Sequence, residues 1–209
     1  MKSPQLIGLF LVSTACYGQQ VKQAPDQAIA DYCDGCEMMY EGISLLNNIS
    51  WEASLANKGE PGASLEIIGT VYMLDGKTPA KDIVLYVYHT DAKGLYSGAQ
   101  GQVNGTRHGH LRGWVKTNEL GQFKIKSIRP APYPNGNIPA HLHLLVKEPN
   151  KTLYYIDEVW FEDDPLVTTE MKRKAEKRGG NLTIPLTKEG NGWRGILKIT
   201  LGLNIPNYH

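Results

Sequence analysis

The sequence has almost no charge of one sign to spare: 22 Lys and Arg stand against 21 Asp and Glu, a formal net charge of +1. No basic stripe is present for a phosphate backbone, which argues against nucleic acid as a partner. Past the first residues no apolar run is long enough to span a bilayer, and neither an internal repeat nor a low-complexity tract occurs. Cysteine is scarce, with three in 209 residues; one Cys-x-x-Cys without a second argues against a zinc knuckle. What is present suffices for a fold, because a chain of this length with 41% hydrophobic residues can bury one main core.

The first residues run from Met1-Lys2 through the apolar stretch Leu6 to Val12 to the small residues Ser13, Thr14 and Ala15 before Cys16. Residues 1–18 therefore read as an export signal. Ser-Thr-Ala-Cys partly matches a lipoprotein signal that would leave Cys16 as a lipid anchor; cleavage before Gln19 is the other reading. Either way the protein is expected to be exported, as a secreted, periplasmic or outer-surface protein. Loss or lipidation of Cys16 leaves the even pair Cys33 and Cys36, which lack the strand-then-helix context of a redox dithiol and are expected to close a small disulfide loop. Asn-x-Ser/Thr sequons fall at Asn48, Asn104, Asn150 and Asn181.

Residues 19–62 form an N-terminal extension in which "EMMYEGISLL" is expected to make a short helix and "NKGEPGA" a linker. From residue 63 to 209 the chain is rich in short β-branched and aromatic runs: "LEIIGTVYML", "DIVLYVYHT", "LRGWVKT", "GQFKIKSI", "HLHLLVK", "YYIDEVWF" and "GILKITLGL". Turn signals such as Asp75-Gly76, Lys93-Gly94 and Asn135-Gly136 separate them. The pattern predicts an all-β sandwich or barrel, of which the sandwich of mostly antiparallel strands is the expectation, with a few short helices in loops and in the N-terminal segment. A further helix is expected in "DPLVTTEMKRKAEKRGG", closed by its glycines.

His141 and His143 lie two apart on one of these strands, so both imidazoles point to the same face. Such a pair is either a metal site or two satisfied core histidines, because polar groups are costly to bury alone. Four blocks in order decide between them: "DAKGLYSGAQ", "LRGWVKTNELGQFKIKSIRPAPYP", "IPAHLHLLV" and "EVWFEDDPL". Together they resemble the intradiol ring-cleavage dioxygenases over roughly half the chain, from Gly69 to about Leu166.

The resemblance implies Fe(III) held by Tyr96, Tyr133, His141 and His143, with catechol and O2 as substrates and a muconate-type diacid as product. It implies that Tyr133 is the axial tyrosinate that leaves on substrate binding and collects a proton. His143 is then axial, and Tyr96 and His141 are equatorial. Ferric ion is hard and suits anionic oxygen ligands; a phenol that ionises near pH 10 alone stays deprotonated beside a bound cation.

Ile138 stands where the family generally carries an arginine that stabilises charge on the substrate, leaving Arg129, Arg112 or Arg107 as spatial replacements. The loop after Tyr133 is shorter than in well-known members, with Asn135 at a position often aromatic. Glu158, beside Asp157, replaces a frequent glutamine and is expected to disfavour carboxylated substrates if it faces the pocket, which points to a neutral or cationic catechol. His108 and His110, a second His-x-His, could line the pocket, supply a proton relay or sit in a solvated loop, and the loop is expected. The helical dimerisation module of many catechol dioxygenases is not evident, so no oligomeric state is implied. Two rivals stand beside this reading. One is a cupin with Glu148 as a third ligand; the other is a non-catalytic, transthyretin-like binding module with an idle or differently used metal site.

Overall fold

A computed structural model of the protein describes Met39 and residues 48–98, 107–134 and 136–209. The expected leader over residues 1–18, Cys16, the Cys33/Cys36 loop, Asn104, Asn135 and nearly all of the "EMMYEGISLL" segment lie outside the described residues.

Two sheets face each other. The first holds β1 (Glu52–Ser54), β5 (Gln122–Ile128), β2 (Ser64–Tyr72), β11 (Gly192–Thr200) and β10 (Leu186–Glu189), in that spatial order. The second runs β4 (Arg112–Lys116), β3 (Val84–Tyr88), β6 (His141–Lys147), β8 (Val159–Phe161) and β9 (Thr183–Ile184), with β7 (Tyr154–Tyr155) also paired to β6. Among the described residues parallel pairing is confined to β1 with β5, β2 with β11 and β8 with β9. The fold is the all-β, mostly antiparallel sandwich that the strand pattern predicts. β1 lies ahead of residue 63, so the first sheet draws in part of the N-terminal extension.

In β2 the buried positions Leu65, Ile67, Gly69 and Val71 alternate with half-covered ones, the period of a strand with one face on a core. Gly69 is opposite Phe123 of β5, and a Cβ there would lie 2.1 Å from Cζ of that ring. The glycine is what lets the phenyl ring cross the strand.

β6 differs because both of its faces are covered. Leu142, Leu144 and Val146 enter the core between the sheets, while Leu145 joins a second cluster with Met39, Tyr86, Tyr88 and Leu153. That cluster covers the outer side of the second sheet, and the Trp114 indole N–H ties it down by donating to the Met39 carbonyl at 2.9 Å. His141 and His143 share the face of Leu145 by strand alternation. The site therefore grows on the outside of the sandwich.

Two expected elements are interrupted. "YYIDEVWF" divides into β7 and β8 because the backbone changes partner: Ile156 N–H donates to Leu144, but Asp157 N–H donates to the Arg178 carbonyl. The helix α1 covers only Thr169–Lys174, capped by the Thr168 hydroxyl, and stops at Ala175 rather than at the glycines. It buries no residue, and a short helix without an apolar face in a core has little to extend it. Beyond it, Asp157 Oδ2 captures Lys177 N–H at 2.7 Å and turns the chain back to the sheet. Among the described residues no helix is long and apolar enough to cross a membrane.

His89, just past β3, is a fully satisfied core histidine. Its Nδ1–H donates to the Thr90 carbonyl and its Nε2 accepts from Ser127 Oγ, both at 2.7 Å. Burial pushes its pKa down to about 4 from 6.5.

Two outcomes are expected. Gly69→Ala should cost about 1–3 kcal/mol by overpacking and Phe123→Ala about 3–5 kcal/mol, with the double variant losing less than the sum because the missing ring makes room for the methyl; urea unfolding measures all three. The unfolded chain takes up a proton at His89 near pH 6.5 that the folded chain refuses until about pH 4. Stability should therefore fall as pH falls through that window, and His89→Gln should reduce the slope by about one proton, read from unfolding midpoints against pH.

Candidate metal centre

Two loops bring the tyrosines to the β6 histidines, and Asp91 organises both. Its Oδ1 accepts from Lys93 and Leu95 N–H, at 2.8 and 3.0 Å, and its Oδ2 accepts from the Ser97 hydroxyl at 2.8 Å. Burial raises the carboxyl's pKa, but these donors outweigh it and hold it below the ordinary value. The Asp91 carbonyl accepts from Ala131 N–H at 3.1 Å, while the Thr90 hydroxyl donates to the Ala131 carbonyl at 2.7 Å. Gly94, at φ +78, lets the Tyr96 loop approach the Pro132 carbonyl, which a Cβ would meet at 2.0 Å. Tyr96 and Tyr133 are thereby fixed to one another.

Their hydroxyl oxygens lie 2.8 Å apart. Tyr96 Oη is 3.0 Å from His143 Nε2, which is 3.0 Å from His141 Nε2, and Tyr133 Oη lies 3.4 Å from the latter. Four donor atoms thus close a ring. Metal–ligand bonds of about 2.1 Å place neighbouring donors about 3.0 Å apart at right angles and about 3.4 Å apart at the tetrahedral angle. The observed edges match that range.

Each donor is prepared differently. His141 Nδ1–H donates to the Pro139 carbonyl at 2.7 Å, which turns the Nε2 lone pair toward the ring of donors. His143 is held neutral, its pKa lowered by burial first and by the neighbouring imidazoles second. Burial and the Tyr133 hydroxyl raise the pKa of Tyr96, so that phenol ionises only with a cation beside it. Among the described residues no three His, Cys, Asp or Glu side chains gather as a metal group; two phenols complete this set. Two imidazoles with two ionisable phenols suit a hard trivalent ion such as Fe(III).

Around the tetrad the sequence expectations fare unevenly. Glu158 Oε1 lies 4.0 Å from His143 Nδ1, so its carboxylate is on the site side. Glu158 also borders a cavity of about 430 Å³ that runs along Trp160, Met171, Leu182 and Thr183. Ile138 is exposed. Arg129 is committed elsewhere: it forks onto Asp163 at 2.8 and 2.9 Å and lies over the Phe161 and Trp193 rings. Arg112 is cross-strand from Tyr88, on the His143 side of the sheet.

The expectation that His108 and His110 sit in a solvated loop is overturned. His108 is buried at 2% exposure, with Nδ1 at 3.1 Å from the Tyr86 hydroxyl and its ring stacked on Tyr88. His110 sits between the Ser97 carbonyl at 2.9 Å and Glu60 at 3.0 Å; burial lowers its pKa, but these partners outweigh it and leave it raised. Both imidazoles found polar partners and His108 aromatic cover as well, which one-letter spacing does not reveal. The cupin reading also fails, because Glu148 is turned away from His143 and accepts from the Tyr154 and Tyr208 hydroxyls at 2.7 and 2.9 Å.

Sequence reasoning missed Asp91, Asp164 and Tyr88. Asp164 accepts from Ala140 N–H at 2.8 Å and so sets the start of β6. Asp-x-Lys-Gly is an Asx-turn pattern that would have found Asp91; nothing in the sequence marks Tyr88.

The protein-family model described as "Dioxygenase" matches residues 47–179, more than half of the chain. Catechol 1,2-dioxygenase of Acinetobacter baylyi is 30% identical over 106 residues, covering 41% of this chain and 32% of that protein. Chlorocatechol 1,2-dioxygenase of Pseudomonas putida is 31% identical over 121 residues, covering 48% and 45%. The chain thus spans less than half the length of these curated relatives. The solved intradiol ring-cleavage dioxygenase of Tetranychus urticae superposes with a TM-score of 0.54 at 18% identity, over 78% of this chain and 89% of that one, a likeness of fold. With the family match over most of the sandwich, the chain belongs to the intradiol ring-cleavage dioxygenases.

Proposed function

We propose that the protein cleaves a catechol between its two hydroxyl-bearing carbons with O2, using Fe(III) held by Tyr96, Tyr133, His141 and His143. The observation that carries this reading is the closed ring of two phenol oxygens and two imidazole nitrogens. The reaction balances without an external reductant: one ring C–C bond breaks, both atoms of O2 enter the product, and the ring supplies the electrons. Bound Fe(III) would supply the centre that takes the catechol oxygens and makes the ring reactive toward O2.

The chain's own groups divide the remaining work. Tyr133 is on a loop, half-buried between two prolines, whereas the histidines are on a strand. By the family resemblance it is the donor that would let go and take a substrate proton on its Oη, near Tyr96 Oη and His141 Nε2. His141, oriented by the Pro139 carbonyl, stays in place. Ile138 stands at the family's arginine position and Arg129 is bound to Asp163, so neither supplies a donor of the kind typically worth about 10² to 10³ in rate. Glu158 repels carboxylates near His143 and favours a neutral or cationic catechol. The leader expected over residues 1–18 supports a role outside the cytoplasm, on external phenols.

Purified protein loaded with ferric iron should show a broad tyrosinate charge-transfer colour that shifts to longer wavelength on anaerobic addition of catechol. Protein that stays colourless after ferric reconstitution would sink the dioxygenase reading and leave the non-catalytic binding module. Glu158→Gln should raise kcat/KM for 3,4-dihydroxybenzoate relative to catechol by about tenfold, the factor that corresponds to about 1.4 kcal/mol; steady-state oxygen uptake on both substrates measures it.

A further inference from the structure

His141 and His143 point at the same centre but are held by different means. A short hydrogen bond to the Pro139 carbonyl orients His141. Among the described residues His143 has no such anchor at its Nδ1, where the Glu158 carboxylate is 4.0 Å away, beyond hydrogen-bond reach. An imidazole that serves a metal normally has its second nitrogen tied, because that tie sets tautomer and ring plane. Something else must fix the plane of His143.

The Tyr88 ring lies against it, with centroids 4.5 Å apart and planes inclined by 15°. On the other side of Tyr88 lies His108, at 3.7 Å and 4°. The three rings form a continuous stack, and each outer support is itself secured. His108 is buried and reaches the Tyr86 hydroxyl. The Tyr88 hydroxyl lies 3.1 Å from that of Tyr155, and its backbone is in register with His143 across β3 and β6. Rotation of the His143 ring about its Cβ–Cγ bond would drive its edge into Tyr88.

We propose that Tyr88 is a positioning residue for His143: the His108–Tyr88–His143 stack holds the plane of that imidazole in place of a hydrogen bond to Nδ1. The use of that plane to hold a metal rests on the function proposed above; the stack itself does not. The contact acts through the ring face, so it distinguishes side chains by flatness and not by the hydroxyl.

The test compares Tyr88→Phe with Tyr88→Leu in the full chain, using two readouts. In metal-free protein, ring currents should shift the carbon-bound imidazole protons of His143 upfield in the nuclear magnetic resonance spectrum, in wild type and Tyr88→Phe alike, and Tyr88→Leu should lose the shift. On titration with ferric iron, Tyr88→Leu should bind about 10- to 100-fold more weakly with an altered charge-transfer band, while Tyr88→Phe stays within about twofold of wild type. A wild-type His143 without the upfield shift overturns the proposal, as does a folded Tyr88→Leu that binds iron like wild type. Equal losses in both variants overturn it too, since they would assign the effect to the hydroxyl. If Tyr88→Leu does not fold, His108→Leu is read instead: removing the outer ring should partly release His143, and an unchanged His143 resonance and iron affinity count against the stack. Wild type that shows the ring-current shift but takes up no iron would overturn the metal-centre reading, and with it the stack's metal role, while leaving the orientation of His143 by Tyr88 established.

Discussion

The pleat of β6 is the constraint on which the site depends. A strand shows alternate residues to opposite sides, and here Leu142, Leu144 and Val146 are committed to the core between the sheets. That commitment fixes the register, since slipping by one residue would exchange three buried aliphatic chains for two imidazoles and Leu145. The direction of His141 and His143 is thus set by residues that take no part in the chemistry. Pairing to β3 on one side and β8 on the other leaves the strand no edge along which to shift.

Strand geometry alone positions only half the ring of donors. The tyrosines come from loops, which are ordinarily the mobile part of a sandwich. Here loop is tied to loop, by backbone and hydroxyl hydrogen bonds between residues 90–91 and Ala131 and by the close approach of Gly94 to Pro132. Asp164 then secures the start of β6 from a third segment. The polar atoms that do this are short side chains and main-chain groups, which lose little conformational freedom when ordered.

Much of this was legible because it rests on local rules. Alternation in "LEIIGTVYML" and "HLHLLVK", with Gly and Pro punctuation, is enough to predict strands and a sandwich, and the His-x-His spacing predicts the shared face. The tyrosines were legible only through the resemblance of whole blocks, since neither Tyr96 nor Tyr133 carries a pattern of its own. What could not be read depends on contacts distant in sequence. The burial of His108, in a turn, depends on Tyr86 and Tyr88 of β3. The engagement of Arg129 with Asp163 spans 34 positions. The early end of α1 follows from Asp157 capturing Lys177, and the break in "YYIDEVWF" from Asp157 pairing with Arg178. In each case a partner beyond the reach of local propensity decides the outcome.

The donor ring lies on the outer side of the second sheet, backed by its own aromatic layer, while the aliphatic core fills the space between the sheets. Stability and the candidate site are therefore carried by two bodies of side chains on opposite faces of β3, β4, β6 and β7. Substitutions in separate bodies combine nearly additively, so lineages of this fold can drift in what they bind without first gaining stability to offset the change. Ile138, exposed on the loop ahead of β6, is a position where such a change leaves the strand intact.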